Sequence, residues 1–86
     1  MYEEKFVNIC KELVRKYTVE HLDKSDEAPQ FDVFVVWNCK ILQNNKALLS
    51  TTLFDGMYYE VTYNGDKKEI YIDAYKKFEN RCIPVE

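Results

Sequence analysis

Eighty-six residues, 47% of them apolar and only four of them Gly or Pro, make one domain spanning residues 1–86 with a single modest core, and they exclude a disordered chain. A net charge of -3 leaves no general basic surface for sequence-independent phosphate binding, which needs concentrated Lys and Arg. Cys10, Cys39 and Cys82 are odd in number and far apart, which excludes a disulfide framework or a C-x-x-C zinc site and points to a reducing cytoplasm.

The first element is a helix. Tyr2, Phe6, Ile9, Cys10, Leu13, Val14 and Tyr17 recur at helical spacing up to about Leu22, which makes one buried stripe. Glu3 and Glu4 open it, and Arg15, Lys16 and His21 follow, so its charges complement the helix dipole. The opening MYEEKFVNICKEL has no basic start and no unbroken apolar run, so neither a signal peptide nor a membrane span is expected. DKSDEAPQ, with Pro29, reads as a connecting loop.

Strands follow. Val33, Val35, Trp37, Cys39 and Ile41 alternate with Phe34, Val36, Asn38, Lys40 and Leu42, the first set facing inward. Gln43-Asn44-Asn45 is turn chemistry, ALLSTTLF is a second strand, Asp55-Gly56 turns, MYYEVTY is a third strand and KEIYI a fourth. Asp73 is placed to cap a final helix, with Ala74, Tyr75, Phe78 and Cys82 on its inner face and Pro84 beyond its end. The expected fold is α+β in two layers: a four-stranded antiparallel meander with an N-terminal and a C-terminal helix packed on one face, in the order α-β-β-β-β-α.

Turn lengths then predict the faces. A two-residue turn at Asn64-Gly65 sets Glu60 opposite Glu69 and Tyr59 opposite Ile70. Three-residue loops at Phe54–Gly56 and Gln43–Asn45 keep Leu49, Thr51, Trp37 and Cys39 inside. The outer rows read Asn38, Ser50, Glu60, Glu69, then Val36, Thr52, Tyr58, Tyr71, then Lys40, Leu48, Thr62, Lys67. Like charges facing each other weaken a sheet. The bland explanation is a solvated face with its acids offset by lysines, and the functional one is a platform. In the second, Tyr58 and Tyr71 pack on a partner while Glu60 and Glu69 accept hydrogen bonds from its amines or guanidinium groups, flanked by Asn38 and Lys40.

A protein surface with Arg or Lys anchors fits that platform best, and a second copy forming a homodimer is the next occupant. A small nucleotide signal stacking on Tyr58 or Tyr71 is a third, which would make the chain a sponge. Lys76 and Lys77 at the start of the expected last helix carry a nucleic-acid alternative, because helix order and lysines there resemble a double-stranded-RNA-binding domain. His21 is the only histidine and ends a helix, Cys39 is placed inward as a small hydrophobe, and no phosphate-binding or nucleophile-elbow motif occurs. No enzyme, catalytic residue or cofactor is therefore expected. Glu60 and Glu69 lack the further hard ligands a metal needs.

The stretch WNCKILQNNKALLSTTLFDGMYYEVTYNGDKKEIYIDAYKKFEN resembles a family of small phage and prophage proteins of unknown function from Gram-positive bacteria. That resemblance spans nearly the whole chain and is strongest from Val36 to Asn80. It implies no activity and no site residue. What it implies is context: a phage gene product in the bacterial host cytoplasm that works by binding, in host takeover or against host defence.

Overall fold

The computed structural model describes residues 1–22 and 30–86, and the loop expected at residues 23–29 lies outside the described residues. The helical periodicity of the first segment is realised as α1, Glu3–His21. Its buried residues are Phe6, Cys10, Val14 and Thr18, one stripe at four-residue spacing. Thr18 is tolerated there because its Oγ1 donates to the Val14 carbonyl at 2.8 Å, so no hydroxyl is stranded in the core. Tyr2, expected on the stripe, is 84% exposed instead.

Four strands follow: β1 Val33–Ile41, β2 Asn44–Thr51, β3 Met57–Asn64 and β4 Glu69–Lys76. They form one antiparallel sheet in the order β1-β2-β3-β4. α1 packs across β1 and β2 on one face, giving a two-layer α+β fold. Phe6, Cys10 and Val14 meet Val33, Ala47, Leu49, Tyr59 and Val61 there, and these eight side chains are the core.

The expected C-terminal helix is absent. Asp73 does not cap a helix; β4 runs on through it to Lys76, and residues 77–86 have no regular structure. The reason is the ladder: Ala74, Tyr75 and Lys76 pair with Tyr59, Tyr58 and Met57, whose backbone groups a helix begun at Asp73 would leave unpaired. The ten residues that remain, interrupted by Pro84, are too few to nucleate a stable helix alone.

Each hairpin register also differs. β3 and β4 are joined by a four-residue loop, Gly65–Lys68, so Glu60 faces Asp73 and Glu69 faces Asn64. β2 and β3 slip by two residues, so Leu49 faces Tyr59. β1 and β2 are joined by Leu42-Gln43 alone, with Leu42 at φ 55, and the ladder carries a bulge between Val35 and Trp37. One extra residue in a strand reverses every side chain beyond it. Val33 and Val35 stay inside as expected, whereas Trp37, Cys39 and Ile41 turn outward and Asn38 and Lys40 turn to the helix side, opposite Ala47 and Asn45.

The cysteines follow this correction. Cys10 is fully buried, and loss of water around the thiol pushes its pKa up to about 12. Cys39 and Cys82 are exposed. A chromogenic disulfide reagent at mildly alkaline pH is expected to titrate two of the three thiols in the folded chain and the third only in denaturant. Fewer than two fast thiols would return Cys39 to the core.

Candidate interaction face

With α1 on one side of the sheet, no described residue covers the other. Its rows follow from the ladders. Phe34, Ser50, Tyr58 and Tyr75 lie across the sheet in one row, Trp37, Leu48, Glu60 and Asp73 in the next, and Cys39, Lys46, Thr62 and Tyr71 in the third. The surface they make is mostly apolar: Trp37 is 42% exposed and Tyr75 53%, and Phe34, Val36 and Tyr71 are also exposed. Ser50 is buried within this layer because its Oγ donates to the Met57 carbonyl at 2.8 Å.

An acidic pair sits in the middle row. Lys46 Nζ lies 3.1 Å from Glu60 Oε1, while Asp73 has no cation within ion-pair distance among the described residues. At the end of the face the Tyr71 hydroxyl donates to Glu69 Oε2. That bond to the carboxylate raises the Tyr71 pKa, because ionising the phenol would lose the donor and bring two anions together.

Of the residues expected to form the platform, Tyr58, Glu60, Glu69 and Tyr71 all stand on this face, but Glu60 and Glu69 are not partners across it. Asn38 and Lys40 leave it. The Lys40 ammonium instead lies 5.9 Å from the centre of the Tyr2 ring, beside the start of α1. Lys76 ends β4, and Lys77 donates its backbone N–H to the Gly56 carbonyl, so the helix end that the nucleic-acid alternative relied on is not formed. Phe34 stands on the face as its alternation with Val33 and Val35 implies, whereas Trp37, Lys46, Asp73 and Tyr75 are members of the face that sequence reasoning missed. The alternation Tyr71, Asp73, Tyr75 against Ile70, Ile72, Ala74 was the signal available for the last two.

A concavity of about 230 Å³ opens beside the end of α1 between Tyr17, Thr18, His21, Asp55, Met57 and Tyr59. His21 stacks on Tyr17 with ring centres 4.0 Å apart, and its Nδ1 is 2.8 Å from the Tyr17 carbonyl. A carbonyl only accepts, so Nδ1 carries the proton. Burial raises the Tyr59 pKa, a hydrogen bond with Thr18 opposes it, and the nearby Asp55 adds to it. Cys39 lies on the opposite side of the sheet from His21, so the two do not meet.

A family model described as a family of unknown function, DUF6275, matches residues 7–85. The chain belongs to this family. Neither the comparison with curated proteins nor that with solved structures finds a match. The DUF6275 match thus covers α1 from its second turn on, the whole sheet and nearly all of the C-terminal segment, and it assigns no residue a role. Among the described residues no helix is long and apolar enough to cross a membrane.

Proposed function

We propose that this DUF6275 chain is a small non-enzymatic binding protein whose open sheet face receives a basic segment of a protein partner. One observation carries the reading: the middle row places Asp73, which has no ion-pair partner among the described residues, beside Glu60, with Trp37, Tyr58, Tyr71 and Tyr75 around them. Large exposed aromatic surface around a small charged centre is how interaction sites concentrate binding energy. A guanidinium or ammonium group bonds to carboxylates and also stacks on tyrosine and tryptophan faces, so one Arg or Lys side chain uses both features. The resemblance to small phage and prophage proteins of Gram-positive bacteria supports a partner in the bacterial cytoplasm, a host or phage protein, and a role in host takeover or against host defence.

Trp37 is the only tryptophan and stands on the face, so its emission reports docking directly. Titration with arginine-bearing peptides is expected to shift that emission saturably, and the same peptides with Arg replaced by Gln are not. Asp73→Asn is expected to weaken binding roughly tenfold or more, the value of a hydrogen bond between charged groups. Equal responses to the Arg and Gln peptides, or unchanged affinity in Asp73→Asn, would sink the assignment.

A further inference from the structure

The two edges of the sheet are built differently. β1 carries the bulge at Val36 and turns Asn38 and Lys40 to the helix side beyond it, devices that spoil an edge as a template for another strand. β4 runs eight residues with no bulge, Gly or Pro and pairs with β3 at every position. No other described segment makes a backbone hydrogen bond to its outer edge. α1 lies over β1 and β2, so on the helix side Ile70 and Ile72 of β4 are only half-buried and Ala74 is exposed.

We propose that β4 pairs antiparallel with β4 of a second copy across a two-fold axis, making one eight-stranded sheet with both helices on the same face. Strand overlap and charge together select the register, since an axis on Ile70 or Ala74 pairs only residues 69–71 or 72–76 of each β4. Centring the axis on Asp73 sets Asp73 against its own copy, and centring it on Tyr71 sets Glu69 against Asp73, both pairs of like charge. Centring it on Ile72 sets Ile72 against itself, Ile70 against Ala74, Tyr71 against Asp73 and Glu69 against Tyr75. That register places a phenol beside each Asp73 carboxylate and joins the half-buried isoleucines of both copies in one apolar strip.

A second copy is the fitting occupant because self-pairing consumes both open edges and leaves only the bulged β1 edges, so assembly closes at two. Both outer faces stay open, so this pairing and the binding role proposed for that face fail separately.

Sedimentation of the full chain at tens of micromolar is expected to give twice the chain mass. In a Cys39→Ser, Cys82→Ser background, Asp73→Cys is expected to cross-link through a short bis-maleimide, because residue 73 lies diagonal to its own copy, about 7–8 Å away. Trp37→Cys, roughly 34 Å from its copy across the joined sheet, is not. Tyr71→Asp, an exposed change that sets two carboxylates against each other twice across the axis, is expected to give a monomer with an unchanged far-ultraviolet spectrum. A wild-type monomer at that concentration overturns the proposal. So does a dimer that cross-links through residue 37 rather than 73, or one that survives Tyr71→Asp.

Discussion

Replacing Phe6 by alanine is expected to cost about 3–5 kcal/mol, the usual price of emptying a buried phenylalanine site. Phe6 is 1% exposed and is, with Tyr59, one of only two aromatic rings among the eight buried hydrophobic residues. α1 is held to the sheet through one stripe, Phe6, Cys10 and Val14, with Thr18 at its end, so losing the largest side chain of that stripe loosens the whole helix layer. Chains of this length hold together by roughly 4–13 kcal/mol in total, so the variant should be largely unfolded at physiological temperature. Urea unfolding followed by far-ultraviolet circular dichroism measures it. Phe78→Ala is the matched control: Phe78 is 99% exposed, and its loss should stay within about 0.5 kcal/mol. Similar losses at the two positions would mean that the core is not where the structure has it.

The same contrast between stripe and ladder explains what could be read without coordinates. α1 was legible almost to the residue, because its pattern is local and repeats over five turns. The faces of β3 and β4 were legible although their pairing was not. Glu60 meets Asp73 rather than Glu69, a slip of four residues, and a slip by an even number leaves every side chain on its own face. Hence Tyr59, Val61, Ile70 and Ile72 lie on the helix side, and Tyr58, Glu60, Glu69 and Tyr71 lie opposite, as their alternation implies. β1 failed for the complementary reason. Its single-residue bulge changes the parity, and Val33–Trp37 is apolar on both faces, so nothing local marks where the reversal falls. That reversal exchanged Asn38 and Lys40 for Trp37 on the open face. The last element was a contest between a local cap at Asp73 and pairing with the far half of β3. Pairing won because it satisfies several backbone groups at once, and it delivered Asp73 and Tyr75 to the face.

Gly65→Ala is expected to destabilise the chain by about 1–3 kcal/mol, as overpacking does, although a glycine in the common backbone region would ordinarily gain about 0.4–1 kcal/mol from the change. The sign is therefore decisive. Asn64-Gly65 suggests a two-residue turn with Gly at positive φ, yet Gly56, at +70°, is the glycine in the left-handed region, and Lys68 takes that conformation within the 65–68 loop. Asn64 organises the loop, its Oδ1 accepting the N–H groups of Asp66 at 3.1 Å and Lys67 at 3.2 Å.

Gly65 is needed for a different reason: a Cβ there would overlap the Gln43 carbonyl oxygen and come within 2.8 Å of the Gln43 Cβ. The two hairpin ends interlock at this point. Gly65 N–H donates to Asn44 Oδ1 at 3.0 Å, and the Gln43 amide donates to both Asp66 carboxylate oxygens, at 2.7 and 2.8 Å. The overlap is with backbone, so trimming Gln43 to alanine should not rescue Gly65→Ala. Urea midpoints of the single and double variants test this. A stabilising Gly65→Ala would show that the loops stand apart, and a rescue by Gln43→Ala would move the constraint from the backbone to the Gln43 side chain.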